Sequence, residues 1–383
     1  MGAPLAGSLV LALQAVPDPR RRRGVRYPCA GILALAFLGC LGRHTELAVL
    51  QRWATRHWAL LRGPLGFDRC RPPHATTLSR VLAACSAESF RQAFVSWLGD
   101  ALAALPIAAA AADGKTSKQG LDADGDPVHL LNVFAHDVKV CLGQWPVTDD
   151  KATEPEVLKA HFHELFERYP GLKLLTGDAL FAQRPLADLI VEAGRHYVLA
   201  VKDNQPDLVE AMHTAFDRVD RSAPDARSAE KRGALIDVRR LWVDGDTGDY
   251  LRERLKFPGA TLAFRLDREM RDEDDTQVLF ETRYFVTNLD PGSVTADDLL
   301  RYARGHWQVE NCLHHIKDRW WDEDRHDSSR PGLAECRAGM VNAALTVLRL
   351  SDRFADDLPM RARGDHLSWD PAEALKVIGA AEL

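Results

Sequence analysis

Two short runs, IAAAAAD (107–113) and LKLLTGD (172–178), constrain the fold most, because each reads as a strand that ends on an aspartate. The pattern around them alternates. VHLLNVFAHDVKVCLGQWPV (128–147) reads as two adjoining strands that turn near Ala135 to Asp137, and EPEVLKAHFHELFERY (154–169) has helical periodicity. RPLADLIVEAG (184–194) is a helix with a glycine stop, and HYVLAVK (196–202) is a further strand. Strands followed by helix, strand, helix and strand make a mixed α/β core over 105–204.

The flanking segments have a different character. Residues 1–104 show helical spacing in ILALAFLGCLG, ELAVLQRWATRHWALL and TLSRVLAACSAESFRQAFVSWL, which predicts an all-helical amino-terminal domain. Residues 205–290 interrupt the core as a β-rich insertion. A polar helix (206–218) leads into SAPDARSAEKRG, expected to be loop, and ALIDVRRLWV, GATLAFRLDREM and LFETRYFVTNL then read as strands. Helical character returns over 291–358 to complete the core, and the tail 359–383, with Pro, Gly and Asp, reads as looser.

A composition of 46% apolar and 27% charged residues is that of a soluble globular protein. Seven scattered cysteines without a CxxC predict reduced thiols in a cytoplasmic protein. LAGSLVLALQAV (5–16) imitates a signal-peptide core but lacks a basic n-region and is followed by PDPRRRR, so secretion is not expected. CAGILALAFLGCLG (29–42) is too short to span a bilayer and suits a buried helix. Charge is uneven. Residues 1–100 carry thirteen arginines, no lysine and five carboxylates, a surplus of eight positive charges in a chain of net −6. A basic module joined to an acidic one suits DNA binding attached to a carboxylate-rich part. RRRRGVR, with Arg20, Arg21, Arg22, Arg23 and Arg26, suits either a phosphate-contacting arm or a solubilising turn.

Asp113 and Asp178 end their strands at the rim where ligands of α/β sheets tend to bind. Glu310 is the best third carboxylate, within RGHWQVENCLHHIKDRWWDED (304–324). On a regular helix Asn311, His314, Lys317, Asp318 and Trp321 share its side, while Val309, Cys312, Leu313, Ile316 and Trp320 form a packing stripe. Clustered carboxylates repel unless cations sit among them, and Mg²⁺ takes such oxygen ligands. Each residue also has a plainer role: aspartates after strands commonly cap turns, and a lone helical glutamate is commonly solvated. His306, Glu310 and His314 have spacing that zinc could use, but HExxH is absent. ADGKTSKQG lacks the GxxxxGK[ST] pattern of a phosphate loop.

Several stretches taken in order resemble the DDE transposases of the ISAs1 family of bacterial insertion sequences, which includes the H-repeat-associated proteins. These are VPDPRRRRGVRYPCAGILALAFLGCLG, TTLSRVL, SFRQAFVSWL, ADGKTSKQG, HLLNVFAHDVKVCLGQWPVTDDKATEPEVL and LLTGDALFAQRPLADLIVEAGRHYVLAVKDNQPDL. The most specific is YFVTNLDPGSVTADDLLRYARGHWQVENCLHHIKDRWWDED. The resemblance implies an RNase H-like core, with Asp113, Asp178 and Glu310 as catalytic metal ligands and a basic position at Lys317. It also implies Mg²⁺, replaceable by Mn²⁺, and double-stranded DNA as partner, both terminal inverted repeats and target. His306, Trp307, Asn311, His314 and Lys317 would position DNA or the helix itself, and a homodimer would form on paired ends. The expected reactions are strand cleavage at element ends and attack by the 3′-OH on target DNA, in the nucleoid and away from membranes. The chain departs from the family pattern at KATEP (151–155), at KRGALIDVRR (231–240) and at His315, which replaces a tryptophan. A transposase-derived protein that binds DNA without cutting it, or a stand-alone nuclease, fits the same residues.

Overall fold

The computed structural model describes residues 8–21, 23, 25–122, 125–148, 153–274, 276–325 and 330–380. Arg22 of the expected basic arm lies outside them. Six helices come first among the described residues: α1 (Leu9–Ala12), α2 (Cys29–Leu41), α3 (Leu47–Arg56), α4 (Trp58–Leu61), α5 (Ala75–Ala84) and α6 (Ala87–Ala103). α2 is apolar on every side and nearly every residue in it is buried, as a helix with no polar face must be. No described helix is long and apolar enough to cross a membrane, and all seven cysteines are free.

The core follows as β1 (Ala109–Leu121), β2 (Pro127–Ala135), β3 (Cys141–Pro146), α7 (Glu154–Arg168), β4 (Leu174–Gly177), α8 (Arg184–Glu192) and β5 (His196–Val201). β2 runs antiparallel to β1, whereas β4 runs parallel to β1 and β5 parallel to β4. This β3-β2-β1-β4-β5 half of the sheet is RNase H-like. Alanine favours helix, yet Ala109 to Ala112 form a central strand buried on both faces. Tertiary burial overrides propensity there.

Next come α9 (Pro206–Phe216), β6 (Ala226–Arg232), β7 (Leu235–Asp244), α10 (Gly245–Glu253), β8 (Leu262–Arg271) and β9 (Gln277–Thr287). Their strands do not form a separate sheet. β9 pairs antiparallel with β5, so one nine-stranded sheet runs β3-β2-β1-β4-β5-β9-β8-β7-β6 among the described residues. The stretch expected as loop contains β6, a strand at the sheet edge that pairs with β7 along its length. Its charged residues suit an exposed edge, where they oppose pairing with other chains. That polarity hid the strand from a hydrophobic pattern.

The chain closes with α11 (Ala296–His306), a π-helical turn (Glu310–His314), α12 (His315–Trp320), α13 (Leu333–Leu350), α14 (Met360–Trp369) and α15 (Pro371–Val377). The tail expected to be loose thus holds two helices, with Leu367, Ala374, Leu375 and Val377 buried. α13 packs against α2, α5 and α6 on one side and against β1 and β3 on the other. The amino-terminal helices and the sheet therefore share one hydrophobic core.

Candidate active site

β1 does not stop at Asp113 but continues to Leu121. What stops is its pairing with β4, whose last partners are Ala112 and Gly177. Asp113 and Asp178 are the next residues on the two strands, so both stand where the parallel pair opens. Asp178 also does what a strand-ending aspartate commonly does: its side chain accepts from Leu180 N at 2.9 Å and caps a short 3-10 turn.

Glu310 opens the π-helical turn, in which the His315 N–H bonds to the Glu310 carbonyl, five residues back. An extra residue in a turn rotates everything after it by roughly 100° relative to a regular helix. That rotation corrects the expected solvent-facing side. His314, Lys317 and Trp321 turn inward, with 3%, 1% and 0% exposure, while Asn311 stays exposed. π turns of this kind recur at functional sites.

Inward rotation brings His314 to the carboxylates. Its Nδ1 lies 3.1 Å from Glu310 Oε2 and 3.5 Å from Asp113 Oδ2. Asp113, Glu310 and His314 offer ligand atoms within 4.8 Å of one another. His314 Nε2 is buried with no hydrogen-bond partner. Oxygen donors with one imidazole suit a hard divalent cation of the Mg²⁺ or Mn²⁺ kind. Zinc ligation by both histidines is not formed, because His306 sits elsewhere. It is buried, with Nδ1 3.4 Å from Thr176 Oγ1.

Electrostatics mark the same point. Burial pushes the Asp113 carboxyl up to about 7, and of the neighbouring charges Glu154 adds most, ahead of Asp178 and Glu310. Burial also raises Asp178, opposed by its bond from Leu180 and reinforced by Glu154. Glu310 is held below the usual carboxylate range, chiefly by its hydrogen bond with His314. Burial lowers His314, which favours a neutral, ligating imidazole.

Glu154 was not singled out by the sequence reading, which took it as the start of a helix and as part of a stretch that departs from the family pattern. It is the first residue of α7, and its Oε1 is 2.9 Å from His129 Nε2. A Cβ added to Gly114 would meet that carboxylate at 2.1 Å. The Asp-Gly pair at 113–114 was the available signal: it marks a place where another group approaches the strand backbone.

The remaining expected DNA contacts, with Lys115 and Trp321 beside them, fall in varied surroundings. Lys317 is paired with Glu323 at 2.9 Å and Lys115 with Asp318 at 2.7 Å, so neither presents an open charge. Trp321 is core, its Nε1 donating to the Cys40 carbonyl at 2.7 Å. Trp307 is half-buried beneath the Arg283 guanidinium, 4.2 Å from the ring centre. Asn311 donates to the Trp307 carbonyl. Arg20 is held by Asp18 and the Tyr27 carbonyl, whereas Arg21, Arg23 and Arg26 are exposed.

Residues 128–347 match the family model described as transposase DDE domain, and residues 10–98 match the one described as DDE_Tnp_1-associated. The first match includes Glu154, Asp178 and Glu310 and begins beyond Asp113. Putative protein YbfL of Escherichia coli strain K12 is 26% identical over 363 residues, covering 92% of this chain and 93% of that protein. The H repeat-associated putative transposase YhhI of the same strain is 25% identical over the same shares. An uncharacterized protein in the dhlA 3′ region of Xanthobacter autotrophicus is 30% identical over 72% of this chain and 92% of its own length. A piggyBac transposase synaptic complex with hairpin DNA aligns at a TM-score of 0.46 and 10% identity, covering 98% of this chain and 79% of that one. With a transposase DDE domain matched over more than half its length, the chain belongs to the DDE transposases, in the ISAs1-like group of the H repeat-associated proteins.

Proposed function

We propose that this transposase cleaves DNA at the ends of its own insertion element and joins the freed 3′ ends to target DNA, with Mg²⁺ as the working ion and Mn²⁺ as a substitute. The observation that carries the reading is the convergence of Asp113, Glu310 and His314, with Asp178 at the adjoining strand end. Asp113, Asp178 and Glu310 hold the metal, and His314 fixes the Glu310 carboxylate in place. A bound divalent pair would activate the attacking oxygen and stabilise the leaving one. Arg21, Arg23 and Arg26 contact phosphates, and two copies act on paired ends.

The test is cleavage of DNA carrying the gene's own flanking sequence, with Mg²⁺ or Mn²⁺, for wild type beside Glu310→Gln. Nicking at the element end should appear in wild type and vanish in the variant, since a lost ligand commonly removes two or more orders of magnitude of rate. Salt-sensitive binding without cleavage by either protein would instead identify a DNA-binding protein that performs no chemistry.

A further inference from the structure

We infer that Glu154 is a fourth carboxylate of the catalytic site, facing the same divalent cation as Asp113 and Asp178. The inference rests on the metal-dependent chemistry proposed above and adds a residue to it. Its ground is geometric. α7 begins at Glu154, and its first turn places that side chain against the stretch of β1 that follows Asp113.

Gly114 shows how close the approach is. Its backbone is not in the left-handed region, so conformation alone does not call for glycine there. Space does: a Cβ would stand 2.1 Å from Glu154 Oε1 and 2.4 Å from its Cδ. The carboxylate therefore occupies the place of a side chain next to Asp113.

The orientation is also held. His129 Nε2 meets Glu154 Oε1 at 2.9 Å, and His129 Nδ1 meets Thr116 Oγ1 at 2.7 Å. A chain from strand hydroxyl to imidazole to carboxylate is how outer groups aim a metal ligand. Among the described residues His129 is the group that bonds this carboxylate, and it does so through Oε1 alone.

A plainer role exists. A glutamate in the first turn of a helix is favoured by the helix dipole. That role asks only for a solvated carboxylate. It needs neither a missing Cβ on the neighbouring strand nor a side chain left 15% exposed by its packing. Glu154 is also the neighbouring charge felt most by both Asp113 and Asp178.

The experiment is Mn²⁺ binding to the full chain, followed by electron paramagnetic resonance, for wild type, Glu154→Gln, Gly114→Ala and Asp113→Asn. Glutamine keeps the shape and an acceptor for His129 while removing the charge, so a structural role predicts unchanged binding. A metal-facing role predicts weaker Mn²⁺ affinity, by roughly tenfold or more. Gly114→Ala should weaken it likewise by pushing the carboxylate aside, with the charge retained. Wild-type affinity in Glu154→Gln, alongside a loss in Asp113→Asn, would overturn this inference and leave the proposed function standing. Absence of Mn²⁺ binding in wild type would overturn both.

Discussion

Beneath the carboxylates, Thr176 Oγ1 lies between two buried imidazoles, 3.0 Å from His136 Nε2 and 3.4 Å from His306 Nδ1. The group ties β4, two residues before Asp178, to the end of α11. Gly305 leaves room for it, since a Cβ there would meet His136 Nδ1 at 2.1 Å. Burial is the main reason that His136 titrates at about 3 and His306 at about 4. Both folded values lie below the unfolded value of about 6.5, so the unfolded chain takes up protons first as pH falls. Their contribution is full above about pH 6.5 and is lost as pH drops toward 4, by an amount of order 3 kcal/mol for a fully buried imidazole. Asp113 acts in the opposite sense: raised to about 7, it stabilises the metal-free fold at low pH and loses that contribution as pH rises through 7. A difference between proteins cancels the Asp113 part. Urea midpoints at about pH 7.5 and about pH 5 should fall further for wild type than for His136→Asn. Equal falls would mean that His136 is not neutral in the fold. At this scale the sequence showed much. Asp113, Asp178 and Glu310 could be singled out as candidates because strand ends and an acidic helix leave local patterns. Glu154 could not, because its neighbours Asp113 and His129 are brought to it by the sheet.

The turn from Glu310 to His314 decides which side chains the next element buries. Helical periodicity assumes a constant advance per residue, so a π turn is invisible to it: the expected packing stripe of Val309, Cys312, Leu313, Ile316 and Trp320 does meet the core, but His314, Lys317 and Trp321, expected on the open side, are buried as well. Lys317 is the clearest consequence. Its ammonium is buried against Glu323, which is itself 13% exposed, with Lys115 4.0 Å from the same carboxylate. Breaking one side of a buried pair leaves the other charge uncompensated, at a cost of about 3 kcal/mol. Glu323→Gln should lower stability by about that much in urea unfolding, because it strands the buried Lys317, and Lys317→Met by a smaller amount because Glu323 keeps Lys115 at 4.0 Å. Combining them should cost clearly less than the two separate losses together, since neither charge is then stranded. Strict additivity would show that the pair does not interact. The β6 strand and the helices α14 and α15 were hidden for a related reason. Edge strands and short helices take their stability from what they pack on, which a local window does not contain.

On the scale of the whole molecule, α13 joins what the sequence presented as separate parts. It lies between the amino-terminal helices and the sheet, so the arginine-rich first hundred residues are fixed to the catalytic core. The charge asymmetry therefore has a direction. In the proposed reaction the positive end would recruit a polyanion, and a divalent cation would neutralise the carboxylates that otherwise repel it. Within the arm, Arg20 is occupied by Asp18, which leaves Arg21, Arg23 and Arg26 as its described exposed charges. If these three each meet a phosphate, replacing them with alanine should flatten the dependence of log affinity on log salt by about 3 over roughly 50 to 200 mM salt. The loss should be similar for element ends and unrelated duplexes, because phosphate contacts carry no sequence information. Cleavage at saturating DNA should stay near wild type, since none of these three arginines is bonded to a site carboxylate. An unchanged salt slope would remove the arm from the DNA path and leave the attraction to other arginines of the first hundred residues. A loss confined to element ends would instead make the arm a reader of sequence, which a run of arginines achieves only by entering a groove.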